Sequence, residues 1–347
     1  MNQQKINNNV NLGNRGLLGT IRKYFSRNLA LLGALFVIGA TLTLTTPYFL
    51  TADNILVVMR MITTNAIVAF GMTFVILMGG IDLTVGSLIS VTGILTSSLM
   101  AHSGVPMVYA IFIGLLLGAS VGFINGIIIT KAKLPAFIVT LAVSFICKGF
   151  SFIISRGIPI SISNEKFNLI GNGYIGPIPL PVVYMFAIFI ILSYFLYRTR
   201  FGRHVYAIGG NIEAAKFSGI NVFRPQIIAY IFVGFLSGFS GIIITARLYS
   251  GQPTIGTNAE LDAIAAVILG GASLFGGVGT LGGTFLGAII IGVVNNGLNL
   301  LGVNSYWQDV AKGLIILLAV FIDAIKTNRM ASLRIKTTMS TSEKQKE

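Results

Sequence analysis

The sequence predicts an all-α polytopic membrane protein of about ten transmembrane helices, broken at Gly-rich turns, with both termini cytoplasmic. Three observations predict it. Hydrophobic residues make up 54% of the 347 and charged residues only 10%, against roughly 25% charged in a soluble domain. Apolar runs near the length of a bilayer-spanning helix recur between short polar segments. The 41 glycines suit helices that approach closely in lipid. A formal charge of +14 raises nucleic acid as a partner. The basic residues sit between apolar runs without interleaved aromatics, so they orient the chain in a membrane, and no nucleic acid is expected. Cys147 is the single cysteine, which excludes an intramolecular disulfide.

Residues 1–28 form a polar tail carrying Lys5, Arg15, Arg22, Lys23 and Arg27. The apolar run 29–50 is too long for a signal peptide and lacks a small-x-small cleavage site, so it is a retained first span. A second run, 55–78, ends in GGIDLTVGS (79–87), where the glycine pair and Asp82 break the pattern, and a third continues to Met100. After the turn AHSGVP, a fourth run (105–129) stops at Lys131 and Lys133, and a fifth covers 134–155. Residues 156–181, rich in Gly, Pro, Ser and Asn, read as an external loop. A sixth run (182–197) leads to the polar stretch 198–225, and a seventh covers 226–246. RLYSGQPTIGTN reads as a second external loop; a short eighth run follows within 259–280, with a Gly-rich end. Runs 281–301 and 306–325 complete the transmembrane region 29–326, before a basic tail at 327–347. This topology puts 18 of the 24 basic residues inside and leaves only Arg156, Lys166 and Arg247 in the external loops, as the positive-inside rule requires. The inside turns 79–84 and 272–280 carry no Lys or Arg.

The stretch 198–225 crowds Arg198, Arg200, Arg203, Lys216 and Arg224 against one acid, Glu213. It holds one short element with both ends marked. Asn211 is an N-cap, Glu213 puts negative charge in the first turn, Ala214 and Ala215 favour helix, and Gly219 supplies a left-handed stop. A helix of about two turns is unstable alone in water, so it packs against something. That leaves two readings, a surface loop or a docking knob for a soluble partner.

The two basic-free turns look alike. V75-I-L-M-G-G and V267-I-L-G-G both lead from an apolar run into a glycine pair and close on Val-Gly-Ser or Val-Gly-Thr. They are broken helices or tight packing points. Asp82 faces protein or water, because a carboxylate in lipid is costly. It either shapes the path or caps a helix starting at Leu83 by accepting from Val85. Asp309 and Lys312, three apart, make an ion pair on one helical face, and Lys148 and Arg156 snorkel. His102 and His204 are far apart and offer no metal site, and no catalytic constellation is visible.

GGIDLTVGS, RTRFGRHVYAIGGNIEAAKFSGI, ARLYSGQPTIGTNAELDAIAAVILGGASLFGGVGT and NNGLNLLGVNSYWQ are similar to segments of the sugar-importing permeases of the ATP-binding cassette class, most of all its ribose importers. The similarity runs in the same order and spacing over nearly all of residues 50–326, and the tails depart from it. It implies one half of a homodimeric pore in the bacterial cytoplasmic (inner) membrane, surrounded by lipid, fed with sugar by a periplasmic binding protein and driven by two ATPase subunits below. It also implies a coupling helix at about Ile212–Ser218, with Gly209, Gly210, Asn211, Glu213, Ala214, Ala215 and Gly219 docking on the ATPase. No Gly-Lys-Ser or Gly-Lys-Thr occurs, so the phosphate-cradling loop is absent. This chain is expected to bind no cofactor, ATP and Mg being used by the partner. On this reading Asn65, Asp82, Asn125, Asn295 and Asn296 are candidates for the sugar path, helix–helix hydrogen bonding being the alternative for the asparagines. Arg247, Glu260 and Asp262 are candidates for an outer gate or a binding-protein contact. Competing expectations are an ion-coupled secondary transporter with Asp82 as its proton or sodium site, a passive channel, or the same importer for xylose, galactose, galactofuranose or a sugar autoinducer.

Overall fold

A computed structural model of the chain describes residues 17–325 apart from 319 and 322, with side-chain surroundings from Leu29 on, Ala30 excepted. Residues 1–16 of the predicted N-terminal tail and all of the predicted C-terminal tail, 327–347, lie outside this range. Twelve helices come first in chain order: α1 (Leu17–Thr45), α2 (Ala52–Leu77), α3 (Val85–Ala101), α4 (Met107–Lys131), α5 (Ala136–Ser155), α6 (Glu165–Asn172), α7 (Leu180–Arg198), α8 (Arg200–Gly210), α9 (Ile212–Phe217), α10 (Phe223–Leu248), α11 (Ala259–Leu269) and α12 (Leu281–Leu300). Residues 305–318 are helical as well. Four two-residue strands accompany them: β1 (Ile160–Ser161), β2 (Tyr174–Ile175), β3 (Ile178–Pro179) and β4 (Ser250–Gly251).

Every predicted span overlaps a helix, and six of the helices (α2, α4, α5, α7, α10 and α12) are long and apolar enough to cross a bilayer. Two boundaries move. The first helix starts at Leu17, so Arg22, Lys23 and Arg27 lie on it rather than in a tail. The second starts at Ala52, capped by the Thr51 hydroxyl, which accepts from the Asn54 N–H at 3.3 Å. Asp53 therefore belongs to its first turn, a position missed when the apolar run is counted from Ile55.

Helix α2 is the core. From Ala66 to Leu77 every residue is buried. Phe70 and Phe74 pack against the rings of Phe189, Phe285, Phe201 and Phe232 from four surrounding helices at centroid distances of 5.4–6.2 Å. Helix α4 presents Gly114, Gly118, Gly122 and Gly126 on one buried face. Repeating every fourth residue, they let the backbone of α10 approach at Gly234, Tyr230 and Ile227. The opposite side, with Phe112, Leu116 and Phe123, is exposed, as a lipid-facing surface is.

Both predicted external loops differ from expectation. Within 156–181, Asn164 caps α6 by accepting from the Phe167 N–H at 3.1 Å, and Phe167 is fully buried against Ile162, Ile242 and Ala246. The segment is a folded cap packed on α10. The second loop leaves the end of α10 and runs down the side of α3. Strand β4 pairs antiparallel with β1; Gly251 abuts Ser97, the Ser90 hydroxyl donates to the Pro253 carbonyl at 2.9 Å, and Gly256 abuts Gly86 and Ile89. From Ser97 to Gly86 is about 16 Å along a helix. Loop-like composition marks non-helical backbone, which membrane proteins also bury where protein satisfies it; composition does not separate the two cases.

Candidate functional site

The stretch 198–225 folds into two helices rather than one. Thr199 opens α8 by accepting from the Gly202 N–H at 3.4 Å, and Gly202, Val205 and Ile208 face inward. Asn211 then breaks the helix and caps α9, its side chain accepting from the Ala214 N–H at 3.0 Å. Gly219, at φ +78°, ends it, donating to the Lys216 carbonyl at 2.9 Å while Ile220 donates to that of Ala215 at 3.1 Å. A left-handed residue after the last turn is where glycine carries no steric penalty.

Ala215 is the one buried residue of α9 and packs with Ile208 and Val222. Everything else on the helix points outward. Glu213 and Lys216 pair at 2.7 Å on the surface, Phe217 is 90% exposed, and Ile212 at the other end of the helix is exposed as well. Ala214 is exposed too. Phe217 was missed by sequence reasoning, which weighed charges and caps; an aromatic in a polar segment was the available signal.

The end of α8 rests on both glycine-rich breaks at once. A Cβ at Gly209 would overlap the Leu77 carbonyl oxygen, whereas Gly210 has nothing within 4 Å. The same Leu77 oxygen accepts from the Gly277 N–H at 2.8 Å. The Tyr206 hydroxyl donates to the Gly279 carbonyl at 2.8 Å, and the Leu281 N–H donates to the Tyr197 hydroxyl at 3.0 Å. Three features scattered through the sequence thus form one junction: the end of α8, the α2–α3 break and the α11–α12 break.

Asp82 sits in the first break, fully buried. Its Oδ1 accepts from the Thr84 N–H at 2.8 Å and the Thr84 hydroxyl at 2.5 Å. Helix α3 begins at Val85 with Thr84 as its N-cap. The carboxylate therefore closes the turn before the helix and does not cap a helix starting at Leu83. Asn125 of α4 reaches the same Thr84 hydroxyl at 3.3 Å. Asn296 and Asn54 exchange amide hydrogen bonds of 2.8 and 3.1 Å between α12 and α2. Asn295 is buried beside it, and Asn65 is half-buried on α2.

The Glu260 carboxylate lies against Gly86 at the start of α3, whereas Arg247 lies at the end of α10 against Gly171. It lies near Arg60, and its carbonyl accepts from Asn172 at 3.4 Å. Asp262 pairs with Lys312 at 3.4 Å, closer than the 4.0 Å between Lys312 and Asp309. The three external candidates do not form one cluster. Lys148, expected to snorkel, is exposed on α5. Among the described residues no group of three or more His, Cys, Asp or Glu is arranged to hold a metal ion.

Residues 54–320 match the family model described as branched-chain amino acid transport system / permease component. The chain is 47% identical over 295 residues to the ribose import permease protein of Bacillus subtilis, covering 84% of this chain and 91% of that one. It is 44% identical over 310 residues to the ribose import permease protein of Escherichia coli K12, covering 87% and 96%. The D-allose transport system permease protein of the same strain is 37% identical over 284 residues, covering 82% and 87%. No solved structure matches the chain.

Proposed function

The chain belongs to this family of transport-system permeases, and from that premise we propose that it is the membrane subunit of an ATP-driven importer that carries a monosaccharide, ribose, across the bacterial cytoplasmic membrane. In this reading ten spans place both tails in the cytoplasm, and two copies enclose the path. A periplasmic binding protein delivers the sugar, and a separate ATPase subunit binds ATP and Mg and does the hydrolysis. The observation that carries the reading is α9: a short capped helix with Phe217 exposed, set on a helix whose end touches both broken crossings. A soluble partner seated on α9 has a direct mechanical connection to the membrane helices. Gly209, Gly210, Asn211, Glu213, Ala214, Ala215 and Gly219 form, support or flank that seat.

Arg247, half-buried at the outer end of α10 beside Arg60, meets the binding protein. Asp82, Asn125, Asn295 and Asn296 are enclosed by helices, so they and Asn65 join the path as those helices part during the cycle. The 44–47% identities to ribose permeases support ribose as substrate. The test is radiolabelled ribose uptake into proteoliposomes holding this chain, its ATPase and its binding protein, with ATP inside. Uptake requiring all three components is expected. ATP-dependent uptake of another sugar alone would overturn ribose, and uptake driven by an ion gradient without the ATPase would overturn the mechanism.

A further inference from the structure

Inside the six span-length helices, charge away from the ends is confined to two positions. Asp53, Lys131, Arg198, Arg224 and Arg247 stand at or next to a helix end. Arg60 of α2 is interior, and Tyr174 takes up its guanidinium: the hydroxyl accepts from it, and the ring centroid lies 5.0 Å away. Lys148 of α5 is the other. It is exposed, and no carboxylate pairs with it among the described residues. Counted from Ala136, it is the thirteenth residue of the 20-residue helix, about 10 Å from the nearer, C-terminal end. Side chains leave a helix toward its N-terminus, so the lysine stem points away from that end and does not snorkel to it. An ammonium group at this depth is costly in lipid, so it faces water or protein.

Helix α5 turns one side inward: Thr140, Cys147, Ser151 and Ser155 are buried, and the Ser151 hydroxyl bonds that of Ser90 on α3. Lys148 stands instead on a stripe with Leu141, Phe145 and Phe152, all exposed. Their spacing of four, three and four residues is that of one helical face. Helix α4 supplies the contrast. Its exposed positions from Val108 to Ile124 carry no charge, as a surface in lipid requires. Neither 1–16 nor 327–347 holds an apolar run of span length, so the same chain has no further helix to lay over the α5 stripe. Symmetric pairing of two copies sets one patch against itself, and two ammonium groups brought together that way repel unless water separates them. We infer that the stripe of Leu141, Phe145, Lys148 and Phe152 faces the same stripe of a second copy across a water-filled gap. Helix α5 is then the wall of the sugar path and Lys148 its charged lining.

The inference rests on the two-copy import reading, and its test needs no transport. The chain's only cysteine, Cys147, is buried, so the wild-type chain gives the background against which an added thiol is read. Lys148→Cys, Phe145→Cys and, on the exposed side of α4, Leu116→Cys are each placed in proteoliposomes of the complete complex. Positions 148 and 145 are expected to react with a membrane-impermeant thiol reagent and to give a covalent dimer with a flexible bis-maleimide. Position 116 is expected to do neither. Phe145 is exposed, so its variant carries the test should Lys148→Cys fail to assemble. No dimer at either stripe position, or a dimer at 116 as readily as on the stripe, would overturn the facing of the two copies. A dimer without reaction toward the impermeant reagent would overturn the water-filled gap. Complex that crosslinks as expected yet takes up no ribose with ATP would instead remove the import reading and leave the α5 face standing.

Discussion

The two glycine-rich breaks share a sequence pattern and solve the same problem with different carboxylates. In the α2–α3 break the acid is internal: Asp82, fully buried, bonds the N–H and hydroxyl of Thr84 two residues on. The α11–α12 break has no acid of its own and borrows Asp323, near the C-terminal end of the described residues. The Asp323 carboxylate accepts from the Ser273 hydroxyl at 3.1 Å and the Leu274 N–H at 3.2 Å. A turn that carries its own acid keeps its shape wherever the neighbouring helices go. One that borrows from another helix is tied to that helix's position. The shape of the α11–α12 break thus depends on where the last helix stands, whereas the Asp82 turn is closed from within.

Gly209, which touches both sides of this comparison, carries the largest expected effect. A Cβ at Gly209 cannot be accommodated against the Leu77 carbonyl, and overpacking of this kind costs about 1–3 kcal/mol or more. Gly209→Ala is expected to lower the thermal midpoint of the purified protein and to cut sugar taken up per ATP hydrolysed about tenfold. Gly210→Ala, with no neighbour within 4 Å, is expected to leave the midpoint unchanged. Asp82→Ala comes next, because it leaves two buried donors on Thr84 without a partner, at about 1–3 kcal/mol. Asp323→Ala is expected to cost about 0.5–1.5 kcal/mol, since that carboxylate is only half-buried. Denaturation of both variants in the same detergent decides the order, and an equal or larger loss for Asp323→Ala would show that the borrowed carboxylate matters no less than the internal one. Glu213→Gln removes only an exposed pair on α9 and is expected to shift stability by about 0.5 kcal/mol or less.

How much of this was legible follows from what hydropathy measures. Long apolar runs mark helices, and the capped element at Asn211–Gly219 declared itself through residue types with local jobs. Hydropathy does not report what an extended segment rests against, so 250–258 read as an external loop while its Gly, Pro and Ile lie along α3. Nor does it pair residues across the chain. Asp262 and Lys312, fifty positions apart, bond each other, while the nearer Asp309 is the weaker partner. The four-residue glycine spacing of α4 was present in the sequence, but its meaning lay in the facing backbone of α10. Residues 200–210 carry no readable helix signal, because their buried stripe, Val205 and Ile208, is short and interrupted by arginines and glycines.

The seat proposed on α9 for an ATPase subunit presents Phe217 as its most exposed large side chain. The side chain is 90% exposed, so Phe217→Ala leaves the chain's own packing intact. Affinity of the purified variant for the ATPase subunit, measured in detergent beside wild type, is expected to fall about tenfold or more, with ATP-dependent uptake falling alongside it. Wild-type affinity and uptake in Phe217→Ala would rule out α9 as the ATPase seat.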